Sequence, residues 1–369
     1  MAASSLRSPL QSVSPTPAEN PGPRAAGRED GVPLDDRLGN SPGEVPPEMP
    51  ESDRRGEQAD GNVGVLASLI ETTKPRITRL VTMTSGIGFA LSIIGRGVPL
   101  RDAIFSGVAC AIGTALAAAG ANAINQFMER DLDAKMPRTV HRPLPEHRVR
   151  PAIVLWWGVV LAAAGVGALA SFSGLVPAAI CLACVFIYTL IYTPMKTRTT
   201  LATYVGTLPG ALPPLIGWSA AAEMANASGA DFASALEPGG LSLFLLMTVW
   251  QIPHFFAIAW LYRTDYALGG FKMLAVEDED GHKTSRAVAV WTALLIPATL
   301  APYWMMGDRL SVVSPIVAGV TGVIFGVLAI RLARSKLRKD ARTLFIASVV
   351  HLPVLLATFT IDALVKFVI

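Results

Sequence analysis

Nine apolar runs, each close to the length an α-helix needs to cross a bilayer, follow one another at 77–95, 102–125, 151–171, 174–193, 200–221, 241–261, 286–306, 312–330 and 343–366. A hydrocarbon core is crossed by about 20 residues at about 1.5 Å rise each. The third and fourth runs are parted only by Ser171-Phe172-Ser173-Gly174, yet merging them would make a span of 43 residues, too long for a single crossing. The expected fold is therefore all-α, a polytopic membrane protein built as a bundle of nine transmembrane helices. Composition agrees: 51% of the 369 residues are hydrophobic and 16% charged, against roughly a quarter charged in soluble domains.

Two regimes hide in that average. Residues 1–62 are rich in Pro, Gly, Ser and acids, with 6 Arg against 11 Asp plus Glu, and lack a long apolar run. Such a stretch cannot bury enough surface to fold alone and reads as a disordered tail. Transit peptides are Arg-rich and acid-poor, so the tail argues for a bacterial inner membrane rather than a mitochondrial one. Residues 63–369 form the membrane domain. Lys and Arg divide unequally between its two sides, 17 in the loops at 126–150, 194–200, 262–284 and 331–342 against 3 in the loops opposite. Positive charge marks the cytoplasmic face, which places the N-terminus there. The chain's expected surroundings are the lipid bilayer, with no nucleic-acid partner.

The polar loops on that face carry the candidate chemistry. Asn125, Glu129 and Asp133 are spaced i, i+4, i+8 and drift only about 40° per step, so they share one helix face. Mg²⁺ takes oxygen ligands and is commonly held by one or two carboxylates plus substrate phosphates. The bland reading is a solvated turn of paired acids and bases, and spacing alone leaves both open. Asp131 points elsewhere on an ideal helix and is left to a second metal or to a pair with Arg130. Asp265, directly after the sixth run, is a second candidate metal-facing carboxylate. The run Glu277-Asp278-Glu279-Asp280 reads as solvated loop. Arg138, Arg142, Lys196 and Arg198 supply cations that could grip a diphosphate as its bond to carbon breaks. The last basic loop, 331–342, reads as a topology and lipid-headgroup signal.

Within the runs, Pro209, Pro213 and Pro214 with Gly206, Gly210 and Gly217 predict a broken helix. Cys181 and Cys184 have C-x-x-C spacing but no flanking βαβ pattern, and read as small packing residues. His254, in Trp250-Gln251-Ile252-Pro253-His254-Phe255, is a candidate contact for a large aromatic acceptor such as haem, weighed against an ordinary hydrogen-bonded His.

Taken together these segments resemble the protohaem IX farnesyltransferases (haem O synthases) of the UbiA-type intramembrane prenyltransferase superfamily. The matching stretches are Thr73-Lys74-Pro75-Arg76-Ile77-Thr78, 125–143, Tyr192-Thr193-Pro194-Met195-Lys196, 209–218 and 250–274. They fall in the family's order and cover about residues 70–369. The N-x-x-x-[DE]-x-x-x-D pattern belongs to the whole superfamily, and R-T-x-x-R-P with W-Q-x-P-H-F looks specific to the haem-modifying branch. Glu129 stands where many members have Asp, and Thr264 precedes Asp265 where they often have Lys.

The resemblance implies a UbiA-like bundle around a central cavity. It implies transfer of the farnesyl group of farnesyl diphosphate to a vinyl group of haem B, giving haem O and diphosphate. Mg²⁺ would be held by Asn125, Glu129, Asp133 and Asp265. A haem A-forming oxidase is implied as a downstream partner. The competing readings are prenyl transfer to a quinone precursor or chlorophyllide, and a haem or lipid carrier without catalysis. A coupled carrier is expected to place ionisable residues at mid-membrane, whereas here they gather at one end.

Overall fold

The computed structural model describes residues 64–226 and 231–369; the tail expected at 1–62 lies outside the described residues. Among those residues nine long helices carry the fold. They are α1 (Pro75–Ile93), α2 (Leu100–Asp133), α3 (Pro151–Phe172), α4 (Leu175–Phe186), α5 (Thr207–Ala225), α6 (Pro238–Leu261), α7 (His282–Met306), α8 (Val313–Ser335) and α9 (Arg338–Val368). Each coincides with one apolar run. By length and composition alone, seven qualify as membrane spans. The other two, α1 and α5, are long enough at 19 residues each but more polar, and they pack against each other.

That contact explains the glycines. A Cβ on Gly88 would lie 2.0 Å from the Pro214 carbonyl oxygen, and one on Gly217 would lie 1.8 Å from that of Ser85. α1 and α5 therefore touch backbone to backbone, which only glycine permits. α2 and α3 pack through a similar seam, where a Cβ on Gly120 would lie 2.4 Å from the Gly158 carbonyl and the Ala162 nitrogen. Small residues let helices approach closely where lipid offers no hydrophobic drive for their association. Neighbouring helices along the chain pack in turn through most of the bundle, and α9 returns against both α6 and α1.

The expected break in the fifth run sits elsewhere than the prolines suggest. The chain turns at Gly206, between the short helix Ala202–Val205 and α5, while Pro213 and Pro214 lie inside an unbroken α5. Pro213 lacks the N–H that would bond the Pro209 carbonyl. The Cys184 thiol donates to that carbonyl at 3.2 Å instead, so Cys184 is more than a small packing residue. Gln251 from α6 seals the same region, its amide donating to the Thr207 carbonyl at 3.3 Å.

Two features set up the site. α2 has 34 residues, about 51 Å at about 1.5 Å each, so it is longer than a hydrocarbon core of about 30 Å. α4 does not end at Phe186: its backbone widens into a π-helical turn, Ile187–Tyr192, and resumes as Thr193–Met195. Far from these ends, at the start of α4, Glu223 of α5 accepts the Leu175 and Val176 N–H groups at 3.1 and 3.0 Å.

Candidate functional site

The end of α2 projects its polar face into a crevice walled by the start of α1, the π turn of α4 and the loop at 134–150. Asn125, Glu129 and Asp133 are 0%, 5% and 1% exposed, so this face is interior and the solvated-turn reading fails for it. Two neighbours on the same helix act as struts. The Asn122 amide donates to Thr78 Oγ1 at 3.1 Å, and its oxygen accepts the Tyr188 hydroxyl at 3.3 Å. The Gln126 amide donates to the Thr72 carbonyl at 3.2 Å. These bonds pin the turn between the short helix Val65–Thr72 and α1 against α2.

Lys74 occupies that turn. It precedes Pro75, which disfavours the right-handed helical region, and it adopts the left-handed one at φ 48°. The turn aims its ammonium at Asn125, whose Oδ1 accepts from Lys74 Nζ at 2.6 Å. The Asn125 amide in turn donates to Thr193 Oγ1 at 2.9 Å, and that hydroxyl donates to the Tyr188 carbonyl at 2.9 Å. The π turn and the residue after it thus present Tyr188 to Asn122 and Thr193 to Asn125. Burial pulls the Lys74 ammonium down to about 7, and Arg142 nearby adds to the effect.

Each buried carboxylate has its own cation. Lys196 Nζ donates to Glu129 Oε1 at 2.8 Å, and Arg142 donates to Asp133 Oδ2 at 2.6 Å. Lys196 also lies 4.6 Å over the Tyr192 ring. Its burial works against the charged form, but Glu129, with Tyr192 and Tyr188, outweighs burial, and its ammonium is held above the ordinary lysine range. Thr139 closes the corner by donating to the Asp133 carbonyl at 2.8 Å.

The remaining predicted residues fall around this crevice rather than in it. Arg138 is exposed and stacks over Tyr262 at 4.8 Å and Tyr266 at 5.6 Å. It thereby ties the 134–150 loop to the short helix Arg263–Leu268, which carries Asp265. That second loop is fastened to the Lys196 turn by the Lys272 N–H, which donates to the Lys196 carbonyl at 2.7 Å. Asp265 is partly exposed, and its carboxylate takes no hydrogen bond or ion pair from the described residues. No three His, Cys, Asp or Glu side chains among the described residues gather into a metal-holding group, so the structure does not bring Asp265 together with Glu129 and Asp133. Arg198 is exposed and makes no ion pair among the described residues. Asp131, 80% exposed, pairs with Arg130 at 3.4 Å and turns away from the crevice.

His254 lies on α6 toward α9. It shares a 2.6 Å hydrogen bond with Ser348 Oγ and stacks on Trp250 with ring centroids 4.8 Å apart. The acidic run at 277–280 is not simply solvated either. Asp278 is buried and accepts the Thr284 N–H at 2.7 Å, capping the start of α7.

The donor set suits a hard divalent cation. One oxygen of each carboxylate is taken by a cation, and among the described residues the other has no hydrogen-bond partner. Asn125 Oδ1 keeps a second lone pair beside Lys74. Oxygen ligands of this number match how Mg²⁺ is held when a phosphate completes its shell. The crevice therefore pairs two buried acids with three buried or half-buried cations, a composition that fits an anion bearing several charges and its counter-ion.

Comparison with known proteins adds to this geometry. The profile of the UbiA prenyltransferase family matches residues 80–349. The chain is similar to the "Protoheme IX farnesyltransferase" of Solibacter usitatus (strain Ellin6076), 37% identical over 307 residues, covering 79% of this chain and 97% of that one. It is also similar to a protein of the same name from Anaeromyxobacter sp. (strain Fw109-5), 36% identical over 298 residues and covering 80% and 93%. Among solved structures, a digeranylgeranylglyceryl phosphate synthase superposes with a TM-score of 0.64 at 15% identity, covering 81% of this chain and 98% of that one. A UbiA homolog from Archaeoglobus fulgidus bound to GPP and Mg²⁺ gives 0.56 at 14% identity, covering 82% and 100%.

Proposed function

Because the chain belongs to the UbiA prenyltransferase family, we propose that this multi-pass membrane protein transfers the farnesyl group of farnesyl diphosphate to a vinyl group of haem B, giving haem O and diphosphate. One observation carries the choice of acceptor: identity of 37% is sustained over 97% of a relative named for that reaction. The crevice supports the donor half, since it collects Lys74, Arg142 and Lys196 around two buried acids.

Asn125, Glu129 and Asp133 would hold Mg²⁺, with Asp265 joining from its separate loop. When bound, the ion would neutralise charge on the diphosphate as it leaves. Lys196 and Arg142 hold positive charge beside the acids, Lys74 adds to it at Asn125, and the exposed Arg138 and Arg198 extend it outward. Fixed cations of this kind stabilise the charge that develops on the departing diphosphate without reorganising at the moment of reaction. The carbon–oxygen bond of the allylic diphosphate breaks, and the vinyl group supplies the electron pair for the new carbon–carbon bond. Water then adds to the resulting cation and loses a proton, leaving a hydroxyethylfarnesyl group. No protein nucleophile is required. His254 stands as the candidate haem contact on α6. The crevice end faces the cytoplasm of a bacterial inner membrane, with the N-terminus on that side. A haem A-forming oxidase is the expected consumer of the product.

Membranes containing the chain are incubated with haem B, farnesyl diphosphate and Mg²⁺, and the haems are separated and weighed by mass spectrometry. The expected product carries one added hydroxyethylfarnesyl unit and appears together with diphosphate. Unchanged haem under conditions where a relative is active refutes the acceptor. Diphosphate release with a different prenylated acceptor would keep the family chemistry and replace haem.

A further inference from the structure

The last turn of the bundle holds a basic groove that the proposed reaction does not use. It lies between the end of α8 and the start of α9, has a volume of about 700 Å³, and is lined by Val327, Ile330, Leu337, Arg331, Arg334 and Lys339, among others. It sits at the same end of the bundle as the crevice, because Lys336 in the turn donates to the Asp280 carbonyl at 3.0 Å.

Its charges are distributed unevenly. Asp340, only 3% exposed, is engaged by Arg331 at 2.8 Å and by the Ser335 hydroxyl. The side chains of Arg334 and Lys339 are exposed and have no hydrogen bond or ion pair among the described residues. The groove's one acid is thus already neutralised, and two free cations remain on its rim.

Below the rim the surface of α8 turns apolar, beginning with the lining residues Ile330 and Val327. Val320, Val323, Val327 and Ile330 are 56%, 59%, 60% and 50% exposed, and their spacing places them on one outward strip of α8. An exposed apolar strip on a membrane-spanning helix faces lipid. Seven residues separate Val327 from Arg334, about 10 Å along the axis. The strip therefore runs from acyl-chain depth to headgroup depth, and cations replace aliphatic side chains where the headgroup begins.

We propose that this groove is a binding site for an anionic glycerophospholipid, with Arg334 and Lys339 holding the headgroup phosphate and Val327 and Ile330 the upper acyl chain. Basic pockets between transmembrane helices at the cytoplasmic surface bind anionic headgroups by this chemistry. The apolar floor selects a lipid over a free anion, because a soluble phosphate would leave it uncovered.

The full chain in detergent is titrated with phosphatidylglycerol, with phosphatidylcholine of the same acyl chains, and with inorganic phosphate, and bound species are counted by native mass spectrometry. Phosphatidylglycerol is expected to bind in preference to phosphatidylcholine and to resist displacement by phosphate. Arg334→Ala with Lys339→Ala should weaken it roughly 30-fold, the effect of removing two cations from beside an anionic lipid. The swap Arg334→Lys with Lys339→Arg should retain it. Equal binding of the two lipids by the unaltered chain overturns the proposal whatever the variants do. So does displacement by phosphate, or undiminished affinity in the alanine variant.

Discussion

The Lys196–Glu129 pair offers a measurement in which stability and chemistry separate. The two charged atoms stand 2.8 Å apart with side chains 13% and 6% exposed. At that distance, in an effective dielectric of about 20, two unit charges attract by roughly 6 kcal/mol. Desolvating both ions offsets much of this gain, so the pair's net contribution is small. Removing one partner is different, because the other remains buried and uncompensated, at a cost of about 3–5 kcal/mol. Lys196→Met and Glu129→Gln are each expected to destabilise the protein by that amount. The double variant leaves neither charge behind and should recover to within about 1–2 kcal/mol of the parent, a coupling well above the ~0.5 kcal/mol of independent sites. Unfolding would be followed by far-UV circular dichroism as SDS is titrated into mixed micelles, with chelator present. All three variants should lack prenyl transfer, including the restabilised double variant. Additive losses, or single variants costing under about 1 kcal/mol, would refute the buried-pair argument.

Three further outcomes follow from the geometry. Arg138→Ala removes a stacking interaction between two loops, worth about 0.5–1 kcal/mol when exposed; steady-state kinetics should show a several-fold higher KM for the prenyl diphosphate, with stability falling by no more than that amount. Asp131→Ala should leave both turnover and unfolding within about 0.5 kcal/mol of the parent, as for ordinary surface sites, and a large loss of turnover would return Asp131 to the catalytic group. Gly88→Ala inserts a methyl 2.0 Å from the Pro214 carbonyl and should cost about 1–3 kcal/mol, read in the same SDS titration, with activity falling as Lys74 shifts.

The nine helices were legible because span length is set by the bilayer, and the face shared by Asn125, Glu129 and Asp133 because helical geometry sets that period. The separation of Asp131 from them followed from the same geometry. Helix ends were less legible. The second run looks finished near Asn125, since charged residues normally end a span, yet α2 continues to Asp133 because those charges meet partners from other elements. Pro213 and Pro214 look like a break until Cys184, on another helix, is seen to bond a freed carbonyl. Lys74 was visible only as part of a motif. Its place in the site depends on one left-handed residue and on two amides of α2 that hold the turn, none of which has a local signature. Tyr188, Tyr192 and Thr193 depend on a π turn, which composition does not announce. Asp265 shows the converse: its position at a helix end was readable, but not that the short helix Arg263–Leu268 would hold it apart from the acids, since no local signal sets how that helix packs.

The π turn of α4 has a consequence for insertions and deletions. A π turn holds one residue more than the α turn it replaces, so losing any single residue between Ile187 and Tyr192 would let the segment relax into regular helix. Hydrophobicity and length would hardly change, and the span would still insert. Because the α turn covers the same rotation with one residue fewer, everything beyond it would keep its phase, with Thr193 still facing Asn125 and Lys196 still facing Glu129. A three-base deletion there should therefore leave the two sides of the crevice facing each other, whereas one residue inserted into the regular helix before it would turn the same groups by about 100°.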